Sequence, residues 1–197
     1  MTSQTPVHAV IYIPGLGDGR PAGQGRIVRA WKVQGVEPHL FQMNWADGED
    51  FSPKLKRLLA LVDHLHAEGK TVSLVAASAG AGAAMHAYAA RQGIVNGVVS
   101  ICGKLGGMHN VHPATYQRNP AFLQSMERLG RSLAKLDMAA RRRILSMRPL
   151  ADRSVPVVDT RLPGSAGKTL PVAGHAAGIA YGLTAGSFAA IRFLKKL

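Results

Sequence analysis

The sequence predicts an α/β protein of three layers, α/β/α, in which a mainly parallel sheet of about six strands lies between helices. Three observations carry that expectation. Short, continuously apolar runs recur along the 197 residues, the pattern of strands covered on both faces. Segments with helical spacing separate those runs, and such alternation produces a parallel sheet with helices on each side. A chain of this length that is 47% hydrophobic can bury a full core, so one domain spanning 1–197 is expected, without repeats or linkers.

Val7 to Ile13 is the first apolar run, closed by Pro14-Gly15. A glycine-rich loop, Pro14 to Gly19, leads to a helix from about Gln24 to Val33, and His39 to Met43 forms the next strand. Ser52-Pro53 opens a helix, with Ser52 as N-cap and Pro53 at the first helical position. Its apolar face is Leu55, Leu58, Leu59, Val62 and Leu65; His64 and His66 fall on the exposed side, and Gly69 ends it. Thr71 to Ala76 is a strand, the alanine-rich Ala79 to Arg91 a helix, and Gly97 to Cys102 another buried strand.

From Gly103 to about Ala140, Met, His and Pro are scattered before Phe122, Met126, Leu129, Leu133 and Leu136 set up helical spacing. This insertion, 103–140, is expected to form a small cap or the wall of a pocket, and its methionines suit an adaptable apolar surface. Ile144 to Met147 and Lys168 to Val172 complete the strands, and Gly178 to Leu194 reads as a terminal amphipathic helix.

Chemistry concentrates at Val75-Ala76-Ala77-Ser78-Ala79-Gly80. Ser78 falls where a buried strand turns directly into a buried helix. Such a turn has room only for small residues two positions to either side, here Ala76 and Gly80. That is the steric requirement of a nucleophile elbow, although Ala76 replaces the first glycine of G-x-S-x-G. In an open α/β sheet, loops at the carboxyl ends of the strands converge on one crevice. His175 follows the last predicted strand on a loop eased by Gly174 and Gly178, and so reaches the same end. Asp152, after the Ile144–Met147 strand, is the favoured acid; Asp159 is its rival, disfavoured because Pro156 does not suit a central strand. Asp137 reads as a solvated helix position.

A serine hydroxyl attacks well only if an imidazole takes its proton, and the imidazole needs a carboxylate on its other nitrogen. The developing oxyanion needs fixed donors. The backbone N–H of Ala79, at the start of its helix, and that of Leu16, in the loop after the first strand, are the candidates.

These residues resemble the α/β-hydrolase superfamily: the order Ser78, Asp152, His175, with the first-strand loop Pro14-Gly15-Leu16-Gly17, over nearly the whole chain. The resemblance is nearest to small, lid-poor lipase- and esterase-like members. It implies a serine hydrolase cleaving a carboxylic ester or related acyl bond through an acyl-enzyme, on a fold lacking the family's first two strands. A thioesterase, acyltransferase or peptidase would use the same triad. The other alternative is a catalytically silent α/β-hydrolase scaffold that binds an anionic partner.

That last alternative arises from the charge of +13. The basic residues are dispersed, however. The dense clusters Arg141-Arg142-Arg143 and Lys195-Lys196 carry no interleaved aromatics, so a basic solvated surface is expected and nucleic acid is not, with weak binding to anionic surfaces as the alternative. The expected partner is a small acyl ester. Cys102 is the only cysteine, which suits a reducing compartment, and Val7–Ile13 is too short for a secretory core or a membrane span. A cytoplasmic protein is expected.

No cofactor or metal is expected either. Gly164-Ser165-Ala166-Gly167-Lys168-Thr169 runs into Leu170-Pro171 instead of the helix a phosphate loop needs. Gly15-x-Gly17-x-Gly19 lacks dinucleotide spacing. His109 and His112 have no accompanying Cys or carboxylate cluster, which leaves them structural or pocket-lining roles.

Overall fold

In the computed structural model, which describes residues 6–19 and 22–197, six parallel strands form one sheet in the order β2-β1-β3-β4-β5-β6. These are β1 (His8–Ile13), β2 (Glu37–Leu40), β3 (Thr71–Ala77), β4 (Val95–Ile101), β5 (Ile144–Arg148) and β6 (Ala166–Thr169). The helices are α1 (Ala22–Arg29), α2 (Phe51–Ala67), α3 (Gly80–Ala90), α4 (Pro113–Arg118), α5 (Pro120–Ala134), α6 (Met138–Arg142), α7 (His175–Leu183) and α8 (Ser187–Lys195). Short 3-10 turns occupy Ala30–Gln34 and Val157–Thr160.

The central strands are apolar without interruption because alternate side chains enter two different cores. Ile11 and Ile13 of β1, Leu74 and Ala76 of β3 and Val98 of β4 pack with α2, α3 and α5. Val10 and Tyr12, Val75 and Ala77, and Val99 and Ile101 face the opposite side, against Val28, Trp31 and the residues of α7 and α8. Trp31 also donates its indole N–H to the Leu183 carbonyl at 2.9 Å, which ties the helices of that layer together.

The order of strands decides where a site can form. β1 is followed by α1 on one face, whereas its neighbour β3 is followed by α3 on the other. The two chains part as they leave the sheet, and a crevice opens at their carboxyl ends.

Several boundaries differ from the sequence expectation. α2 begins at Phe51 with Asp50 as its cap residue, not at Ser52, and Pro53 stands within the first turn. Packing against α5 sets that start: the Phe51 N–H donates to Gln124 Oε1 at 2.9 Å, and the Ser52 hydroxyl accepts from Arg128. β2 ends at Leu40 because its register on β1 runs from Ala9↔Glu37 to Tyr12↔Leu40; Met43 instead enters the core beside Trp45.

β6 is Ala166–Thr169 rather than Lys168–Val172, an exposed edge strand that pairs Leu145↔Ala166 to Arg148↔Thr169, so no apolar run marks it. The terminal helix is two helices, α7 and α8, bent by 56°. Asp137 is exposed as expected, but it is the N-cap of α6 and not a position within a helix, its Oδ1 accepting from the Ala140 N–H at 2.8 Å. Among the described residues no single helix is long and apolar enough to cross a membrane; the bent pair α7–α8 meets that measure only when the two are joined.

Candidate active site

Ser78 sits between β3 and α3 with φ 51°, in the left-handed region that a β-substituted residue rarely occupies. Three backbone hydrogen bonds hold it there. Its N–H donates to the Ile101 carbonyl at 3.0 Å, and its carbonyl accepts from Ala81 and Lys104 at 3.1 and 3.2 Å. The turn is as crowded as its sequence implies: a Cβ on Gly80 would lie 2.3 Å from the Ile13 oxygen and 2.5 Å from that of Pro14. On the other side a Cβ on Gly15 would lie 2.8 Å from that of Ser78. The loop after β1 therefore rests directly on the serine.

That loop is anchored from below. Asp18 accepts from the Asn44 and Trp45 N–H groups at 2.7 and 3.3 Å, and its carbonyl accepts from Gln42 at 2.8 Å. Burial raises the Asp18 pKa above the usual carboxylate value, against those backbone donors. Leu16 and Ala79 flank Ser78 on the two loops, and neither N–H donates to a backbone carbonyl among the described residues.

Two loops far apart in sequence are zipped together beside the serine. The Leu150 N–H donates to Val172 and the Gly174 N–H to Ala151, at 2.8 and 2.7 Å, joining the segment after β5 to the one before α7. Gly174, at φ 95°, then turns the chain into α7, of which His175 is the first residue, not part of a free loop. α7 can approach β4 this closely because Gly178 has no Cβ; one would lie 2.6 Å from Cys102 Sγ.

As a result His175 Nδ1 stands 2.7 Å from Asp152 Oδ2, and Nε2 stands 2.9 Å from Ser78 Oγ. A carboxylate only accepts, so Nδ1 carries the proton and the bare Nε2 accepts from the serine hydroxyl. The Asp152 side chain is fully buried, and its other oxygen accepts the N–H groups of Ser154 and Val155 at 2.8 and 2.9 Å. All three sequence-predicted residues thus meet in one hydrogen-bonded chain.

Asp159 is elsewhere. It lies in the 3-10 turn after Pro156, pairs with the buried Lys104 Nζ at 2.5 Å, and accepts from His109 Nε2 at 3.0 Å. Burial works to raise its pKa, but the bond and charge of Lys104, with His109, hold it below the usual value. His109 is thus a hydrogen-bond partner of Asp159, while the His112 side chain caps α4 by accepting from the Ala114 N–H at 3.2 Å.

Sequence reasoning missed Cys102 beside the histidine and Lys104 in the cavity wall. Both follow β4, adjacent to the elbow strand, and that placement was the available signal. Cys102, Asp152 and His175 offer Sγ, oxygen and nitrogen atoms within 4.8 Å of one another. They do not fit a metal centre, since His175 is engaged at both nitrogens and Asp152 at both oxygens; burial, with the Asp152 charge, pushes the Cys102 thiol up to about 12. The same shift makes Cys102 a poor nucleophile.

A cavity of about 480 Å³ opens over Ser78. Tyr12, Leu16, Val111, Phe122, Val155 and Ile179 supply its apolar wall.

An elbow at the switch point of a six-stranded parallel sheet, with a histidine that follows the last strand, is the architecture of the α/β-hydrolase fold, and this chain has that fold. Solved structures of that fold superpose on nearly all of it. A structure from LipS and LipT, two metagenome-derived lipolytic enzymes, aligns over 98% of this chain and 96% of its own with TM-score 0.68 and 11% identity. Est1E from Butyrivibrio proteoclasticus covers 99% of this chain and 90% of its own, at TM-score 0.70 and 15% identity. Dienelactone hydrolase from Anabaena variabilis covers 98% and 88%, at 0.65 and 18%. The sequence matches no protein-family model and no curated protein.

Proposed function

We propose that this protein is a serine hydrolase of carboxylic esters or related acyl bonds. The observation that carries the reading is the unbroken pair of hydrogen bonds Asp152–His175–Ser78, at 2.7 and 2.9 Å, at the floor of an apolar-walled cavity. Ser78 Oγ attacks the acyl carbon while its proton passes to His175 Nε2. Asp152 holds the imidazole in the required tautomer and stabilises the cation that forms. The Leu16 and Ala79 N–H groups, free of other backbone partners, receive the oxyanion; one such donor is worth about 3–4 kcal/mol in barrier height. His175 then gives its proton to the leaving oxygen as the ester C–O bond breaks. Water, deprotonated by the same imidazole, releases the acyl group and restores Ser78.

The elbow strain at φ 51° supports this role, because such backbone persists where the surroundings over-determine it. The lipolytic enzymes and hydrolases of like fold agree with it. Within a single domain, we read 103–140 as a pocket wall, on the lining contributed by Val111, Thr115 and Phe122. The lone, buried cysteine fits a reducing compartment, which we take to be the cytoplasm.

A fluorophosphonate probe is expected to label the native protein and not Ser78→Ala, with turnover of esters graded in acyl length lost in the same variant. Equal labelling of the two proteins sinks the proposal and leaves the silent scaffold as the better account.

A further inference from the structure

The cavity over Ser78 is charged in one sense only. Two cationic side chains, Lys104 and Arg153, line it, and no carboxylate does; the residues outside the description, 1–5 and 20–21, contain no Asp or Glu. The nearest acids are already engaged. Asp152 is bound by His175 and two backbone N–H groups, and Asp159 by Lys104 and His109. Lys104 is therefore neutralised by its own partner, with two of its three protons given to Asp159 and the His109 carbonyl.

Arg153 differs. It is exposed at the cavity, one residue from Asp152, and its guanidinium makes no hydrogen bond or ion pair with another described residue. The polar groups Asn110, His112, Thr115 and Ser154 line the same cavity and come, like Arg153, from the segments after β4 and β5. A guanidinium presents a planar fork of donors that matches a carboxylate in two parallel bonds. The overall charge of +13 adds a field that draws anions toward the molecule.

We infer that the substrate is an ester bearing a carboxylate, which Arg153 binds while Ser78 attacks the ester carbonyl. The inference rests on the hydrolase reading above and names the substrate class of that same site. Arg153 selects by charge, and the apolar wall holds the chain between the two functional groups.

Two matched pairs of esters test it. Monoethyl adipate against ethyl hexanoate puts the charge on the acyl side; the butyryl ester of γ-hydroxybutyrate against butyl butyrate puts it on the alcohol side. In the native protein kcat/KM for the charged member of one pair is expected to exceed that for the neutral member. In Arg153→Gln that ratio is expected to fall roughly ten- to a hundredfold, the range of a hydrogen bond to a charged group, chiefly through KM. Arg153→Lys is expected to restore part of it. Arg192→Gln, which removes an equal charge from α8, is expected to leave the ratio in place.

If neither pair favours its charged member, or if Arg153→Gln and Arg192→Gln shift the ratio alike, the subsite is overturned while hydrolysis stands. If none of the esters is turned over and the fluorophosphonate fails to label, the hydrolase reading falls and this inference with it.

Discussion

Replacing Asp152 by asparagine exchanges one carboxylate oxygen for an NH₂ group of nearly the same size, with no new cavity. Oδ1 of the native side chain already accepts two backbone N–H groups, at 2.8 and 2.9 Å, and only an oxygen can do that. The amide oxygen is therefore pinned to those donors. Its NH₂ must then face His175 Nδ1 at the 2.7 Å position now taken by Oδ2. A donor there forces Nδ1 to become the acceptor and moves the imidazole proton to Nε2, which can no longer take a proton from Ser78. The same exchange in a serine protease triad lowers kcat by about 10⁴, equivalent to about 5.5 kcal/mol of barrier.

The assay is steady-state hydrolysis of a short-chain nitrophenyl ester, with thermal unfolding run beside it to establish that Asp152→Asn is folded. Asp159→Asn is the matched control. It disturbs the Lys104 ion pair but not His175, so activity per folded molecule is expected to hold within about tenfold while stability falls by about 3–5 kcal/mol, as for a buried pair stripped of one partner. A folded Asp152→Asn that keeps more than about a tenth of native kcat refutes the reasoning, because the wrong tautomer cannot run the reaction at that rate.

Gly80→Ala places a Cβ 2.3 Å from the Ile13 carbonyl oxygen, a backbone atom that cannot swing away; a loss of about 1–3 kcal/mol is expected in urea unfolding, together with loss of activity. Gly130→Ala in α5 meets nothing within 4 Å, and is expected to gain about 0.5–1 kcal/mol by the same measurement. Ser78→Gly relieves the left-handed strain that Ser78→Ala retains, so of these two inactive variants the glycine form is expected to be the more stable, by up to about 1 kcal/mol. Burial holds His86 and His8 below the ordinary histidine value of 6.5, helped by nearby Arg128 and Lys195 respectively, though the Ser125 carbonyl works the other way on His86. Below that value the unfolded chain takes up protons that the folded one refuses, so this stability is complete above it and declines with acid. The urea midpoint is expected to drop from about pH 7.5 to about pH 5.5, with a shallower slope in His86→Gln.

Local sterics made much of this legible in the sequence. The elbow could be read because a strand that turns straight into a helix excludes side chains, and Ala76 and Gly80 record that exclusion. The buried strands could be read because both of their faces are covered. β6 could not: it is an exposed edge strand of alanine, glycine, lysine and threonine, and pairing with β5 alone defines it. The break between α7 and α8 was hidden for a related reason, since both segments bury apolar residues against one core and so share one helical pattern.

The sequence by itself determined the layers, the alternation of buried strands with helices, and which residue types arrive at the carboxyl end of the sheet. Periodicity and crowding are local properties, and the chain carries them wherever it goes. What only the tertiary structure decided was partnership. Asp152 and Asp159 both follow β5 and are seven residues apart, close enough that spacing alone leaves them rivals. The bonds from Leu150 to Val172 and from Gly174 to Ala151 bring Asp152 to His175, while Lys104 and His109 hold Asp159 away from the histidine. Those contacts join segments distant along the chain, and their energies depend on where the whole sheet puts its loops.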